Sequence, residues 1–145
     1  MIIDYENSFT VNAETQGDLG QAITEDAVSE NVIDNGDPTI SDGSKMVEVW
    51  VQVTTALVSA GNATSLIVAL QGSVDAAFTT PVDIVVSGEL EEADLVAGKR
   101  FSLGNVPVGA LRFLRLDFRV GAEEDFTSGI VEAGLILTPQ GNIGA

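Results

Sequence analysis

Between residues 46 and 53 apolar and polar positions alternate without a break. Val47, Val49, Val51 and Val53 share one side, and Met46, Glu48, Trp50 and Gln52 share the other. Successive side chains of a strand point to opposite faces, so this period of two predicts a strand with one face buried. The same period recurs in RFLRLDFRV, from Arg112 to Val120, where Leu114, Leu116, Phe118 and Val120 oppose Phe113, Arg115, Asp117 and Arg119. In GIVEAGLILTP, Val131, Ala133, Leu135 and Leu137 again face one way. ATSLIVALQG, PVDIVVSG and KRFSL are short segments set off by Gly and Pro punctuation; β-branched PVDIVVSG is too short for a helix, so they read as further strands. The exception is SGELEEADLVAG, where acids cluster in a first turn and Gly98 stands where a C-cap would end the segment, which predicts one short helix or helical turn. Roughly seven or eight strands with almost no helix predict an all-β fold, an antiparallel β-sandwich of jelly-roll type with one short helical segment.

The 145 residues are enough for one core, so a single domain is expected. Residues 1–44 hold ten Asp or Glu and no Lys or Arg, with apolar residues thinly spread. Such a stretch repels itself, and residues 1–21 are expected to form an acidic, mobile N-terminal leader or arm with at most an edge strand near Phe9 to Val11. The jelly-roll domain is expected over 22–138, and 139–145 form a C-terminal tail.

Charge narrows the partners. There are 22 acidic and 6 basic side chains, for a net charge of −16. Nucleic acid and anionic membrane are poor partners, because phosphate contacts require Lys or Arg to displace counterions. With no cysteine and no histidine, disulfides, thiolate metal sites and the common nucleophile and base pairs are ruled out. The EEAD and AEED carboxylates lie in polar segments, where solvation is the ordinary role, so no enzyme is expected and no cofactor. DNGD at Asp34 to Asp37 has calcium-like chemistry but lacks the EF-hand spacing, and its Asn-Gly and Asp-Pro pairs are accounted for by turns. No apolar run approaches a membrane span, and MIIDYENSF lacks the basic start of a signal peptide, so the chain gives no sign of its own export route.

Two features point to binding. Trp50 falls on the face opposite the valines, an odd place for the largest apolar side chain: either a loop or the leader covers it, or it anchors an interface. Three of the six basic residues fall in RFLRLDFRV. Arg115 and Arg119 either pair with acids on a neighbouring strand, Glu132 being the candidate, or offer their forks to carboxylates of a partner with Phe113 beside them. Trp50, Phe113, Arg115 and Arg119 are therefore the candidate interface residues.

The series SENVIDNG, VEVWVQVTTA, TSLIVALQGSVDAAFTTP, LVAGKRFSLGNVPVGALRFLRLDFRV and FTSGIVEAGLILTP, within residues 22 to 138, resembles the small jelly-roll capsid cement, or decoration, proteins of short-tailed bacteriophages. The resemblance implies a non-enzymatic protein on the outer surface of the virion capsid, bridging major capsid protein subunits. It also implies self-association, a homodimer being favoured and a trimer being the other option. No site residue carries over from it. A carbohydrate- or receptor-binding β-sandwich module is the alternative reading.

Overall fold

The computed structural model describes residues 7–11, 20–34, 47–106 and 111–137. Among the described residues there are ten strands: β1 Gln21–Ala22, β2 Ala27–Val28, β3 Ile33–Asp34, β4 Val47–Ser59, β5 Ser65–Ser73, β6 Val82–Val86, β7 Leu90–Glu91, β8 Arg100–Asn105, β9 Phe113–Val120 and β10 Phe126–Leu137. The first sheet has the order β1-β10-β4-β8, and the second β2-β9-β5-β6, with β3 also on β9 and β7 also on β5. Four antiparallel pairs are nested along the chain, β1 with β10, β2 with β9, β4 with β8 and β5 with β6. Nested pairing describes one long two-stranded ribbon. Rolling it brings β10 onto β4 and β9 onto β5, which closes two sheets into a jelly roll.

The period-two pattern decides what lies between the sheets. Val49, Val51, Val53 and Leu57 of β4 and Val131 and Ala133 of β10 meet Leu66, Val68 and Leu70 of β5 and Leu114, Leu116 and Phe118 of β9. Each Val, Leu or Phe among them contributes about 1.5–3 kcal/mol when fully buried. β5 is central and buried on both faces: Ala69, Gln71 and Ser73 are covered as well. The expected helical segment is a single 3-10 turn, Glu92–Asp94, followed by Leu95 in the core. Gly98 sits beyond it at φ +90, a conformation that favours glycine, with its N–H donated to Val53 O.

The leader needs a correction. Residues 7–11 are not a detached arm, because Phe9 and Val11 are fully buried and Phe9 belongs to the core. The Phe9 N–H donates to Ala133 O at 2.9 Å, and the Phe9 carbonyl accepts from Asn31 N at 2.9 Å. The Thr10 hydroxyl accepts from Ala133 N at 3.0 Å. The cause is apolar: in an acid-rich stretch, two large side chains gain more from the sandwich than the acids lose by being near it. The rest of the expected arm, residues 1–6 and 12–19, lies outside the described residues, as does Met46.

Candidate functional site

The outward face of the second sheet is built by register. On β9, Phe113, Arg115, Asp117 and Arg119 alternate with the buried leucines and Phe118. Opposite them on β5 stand Ser73, Gln71, Ala69 and Ile67. One strand further, Asp83 of β6 lies opposite Gln71. Three strands thus place one amide, two carboxylates and two guanidiniums side by side.

Their hydrogen bonds run in a chain. Arg115 Nε donates to Gln71 Oε1 at 2.9 Å, and Gln71 Nε2 donates to Asp83 Oδ1 at 3.0 Å. Arg119 Nη2 donates to both Asp83 oxygens at 2.8 and 2.9 Å, and its Nε donates to Asp117 Oδ2 at 2.9 Å. The Gln71 bond, reinforced by Arg119, holds the Asp83 carboxyl below the usual carboxylate range. The bonds to Asp83 and then Asp117 raise the Arg119 guanidinium. Being partly exposed, each Arg119 pair stabilises the fold by only about 0–1 kcal/mol.

Arg119 therefore serves the protein's own surface, though not with the acid expected. Glu132 is on β10 in the other sheet, because the chain between β9 and β10 crosses the sandwich instead of closing a hairpin within one sheet. Arg115 differs from its neighbours. Its guanidinium stacks 4.3 Å from the centroid of Phe78, and among the described residues no carboxylate lies within ion-pair distance of it. Phe113 is half-buried and carries the Arg112 guanidinium at 4.9 Å. Arg112 in turn grips Asp34 with two bonds of 3.0 Å, so the acid that opens DNGD is part of an ion pair. Asn35, Gly36 and Asp37 lie outside the described residues.

Trp50 stands where its alternation places it, on the outward face of the first sheet, between Ser102 of β8 and Gly134 of β10. It is half-buried, and its indole Nε1 is buried without a hydrogen-bond partner among the described residues. Buried indole N–H groups ordinarily find an acceptor, so this one marks an incompletely satisfied surface. Trp50 and Arg115 do not form one patch. They lie on opposite outward faces of the sandwich.

A second carboxylate cluster lies at one end of the sandwich. Glu92 is buried and accepts from Ser59 N at 2.8 Å, from the Ser59 hydroxyl and from Thr64 N at 3.4 Å. Glu124 competes with Glu92 for the single hydrogen of that hydroxyl, its Oε1 standing 2.6 Å from Ser59 Oγ, and accepts from Gly61 N at 2.9 Å. These bonds tie the β4–β5 turn to the 3-10 turn and to the β9–β10 loop, a structural task for AEED and EEAD. Burial pushes the Glu92 carboxyl up, but the Ser59 and Thr64 donors outweigh it, and the net direction is down. A carboxyl lowered by folding contributes stability above the ordinary glutamate value of 4.5 and loses it as pH falls through the folded value. Glu92→Gln should lower stability near neutrality by about 1–3 kcal/mol and give a shallower fall of the urea midpoint on acidification. Parallel pH curves for the two proteins would show that Glu92 has no such role.

Gln71, Phe78 and Asp83 were not singled out from sequence. Asp83 carried a signal as the one charge in PVDIVVSG, and Gln71 as the polar break in ALQGS; Phe78 carried none. Among the described residues no group of three or more acids is placed to hold a metal ion, and no helix is long and apolar enough to cross a membrane.

Fold and surface together define an all-β sandwich module whose distinctive side chains sit on outward faces. The Bbp16 family model matches residues 18–135, and the chain belongs to the Bbp16 family. No curated protein matches it.

Proposed function

We propose that the chain is a capsid cement protein, bound to the outside of an icosahedral phage head and bridging major capsid protein subunits. The observation that carries this reading is the placement of Trp50 and Arg115 on opposite faces of one rigid sandwich. A bridge needs two separated contact surfaces, whereas a sugar site gathers its aromatic side chains in one place. The resemblance of the strand series to cement proteins points the same way.

The mechanism is differential binding. Cement stabilises the mature shell only if it binds the expanded lattice more tightly than the compact one, since a ligand with equal affinity for both shifts nothing. Two copies joined as a homodimer gain further, because the second capsid contact forms at high effective concentration.

Mass spectrometry of purified particles should find the chain in stoichiometric amount with the capsid protein. Trp50→Ala should weaken attachment by about 2 kcal/mol, roughly 30-fold, while the free protein stays folded. Particles lacking the chain, or saturable binding of a glycan at Trp50, would overturn the proposal in favour of a carbohydrate-binding module.

A further inference from the structure

We infer that Arg115 is a pre-positioned receptor for a single carboxylate of a protein partner, an Asp or Glu side chain or a chain terminus. This deepens the proposed bridging role by naming the chemistry of one contact, and rests on that role only for the identity of the partner.

Three observations set Arg115 apart. Its Nε is fixed by Gln71, a residue only 7% exposed whose own amide is held by Asp83, so the acceptor that orients the guanidinium is itself oriented. One face of the guanidinium is covered by the Phe78 ring. That ring is held at a backbone cost: Phe78 has φ +52, a left-handed conformation that a bulky side chain rarely adopts. The turn is locked by Asp75, whose carboxylate accepts from Thr79 N and Thr79 Oγ1, both at 3.2 Å, and whose carbonyl accepts from Phe78 N at 3.2 Å.

A loop strained in order to hold an aromatic ring under a cation leaves the guanidinium little freedom to lose on binding. The Nη1 and Nη2 hydrogens remain, and among the described residues nothing accepts from them. Arg112 and Arg119, on the same strand face or beside it, are each closed by an Asp. A planar fork with two parallel donors matches a carboxylate. A phosphate is a poorer fit here, because a dianion meets a single fork on a chain of net charge −16. Phe113, half-buried on the same face, supplies apolar area that would exclude water from the contact.

Sodium propionate, propionamide and inorganic phosphate serve as probes, titrated at constant ionic strength against the nitrogen-15-labelled chain. The Arg115 Nε–H, the Gln71 side-chain amide and the Phe78 backbone amide should respond saturably to propionate and not to propionamide, while the Arg119 Nε–H stays still. Arg115→Lys keeps the charge but loses the fork, and should weaken the response at Gln71 and Phe78 by about fivefold or more. Phe78→Leu should weaken it by about threefold through loss of the ring. If that variant unfolds, Arg115→Lys, at a half-buried surface position, decides. No saturation at Arg115, an equal response to phosphate, or an unchanged response in Arg115→Lys would overturn the inference. A chain that binds propionate at Arg115 yet is missing from particles would leave the receptor standing and overturn the cement role.

Discussion

Phe9→Ala should cost about 3–5 kcal/mol of folding stability, as large as any loss from the central strands. Phe9 is fully buried within the cluster that contains Leu116, Phe118 and Val131, so truncation leaves a cavity walled by both sheets. The surroundings cannot close on it easily. Ser8 and Phe9 are held by the Ala133 backbone on one side and by Asn31 on the other, with Asn31 Nδ2 donating to Ser8 O at 2.8 Å. A urea titration followed by intrinsic fluorescence measures the loss, and the Phe9 amide should exchange as slowly as amides of β10. A midpoint equal to that of the unaltered chain would mean that residues 7–11 dissociate without consequence, which would restore the picture of an acidic arm.

Gly129→Ala should cost about 3 kcal/mol, at the top of the range for overpacking, although it adds only one methyl group. Gly129 lies in β10 where the pairing with β4 shifts register, and its backbone has φ +149. A Cβ built there would stand 2.6 Å from Leu57 Cγ and 2.8 Å from Leu57 Cα. The second atom is backbone and cannot rotate away, so β4 and β10 must part or Gly129 must change conformation. Either change disturbs the 3.1 Å bond from Ile23 N to Gly129 O and the burial of Leu57. Gly104 is the internal control: it has φ +93 but nothing within 4 Å of the added carbon, so Gly104→Ala should cost only conformational strain, about 1 kcal/mol. Equal losses at the two positions would show that backbone strain alone, without the clash at Leu57, sets the cost.

The strands of this protein were legible because their signal is local. Alternation in MVEVWVQV and RFLRLDFRV names the buried face residue by residue, and the buried set Val49, Val51, Val53, Leu114, Leu116 and Phe118 follows from it. The outward position of Trp50 and the outward row of Phe113, Arg115 and Arg119 follow from the same period. The absence of His and Cys and the excess of acids are likewise properties of the chain itself and limit its chemistry wherever the residues end up.

What the tertiary structure decided was every question about partners across the chain. Alternation says that Arg119 faces outward but not that Asp83, 36 positions earlier, faces it, because that depends on β6 and β9 flanking β5. Glu132 fits the same alternation and lies in the other sheet, since face is a property of one strand and neighbourhood a property of the strand order. Charge density likewise misjudged Phe9: repulsion among acids acts weakly through water, whereas burial of one large aromatic side chain is decided by whether the rolled ribbon leaves a slot for it. Arg115 is the clearest case. Its outward direction was written in nine residues, but its lack of an acidic partner among the described residues and its seat on Phe78 arise only where β5, β9 and the loop after β5 converge.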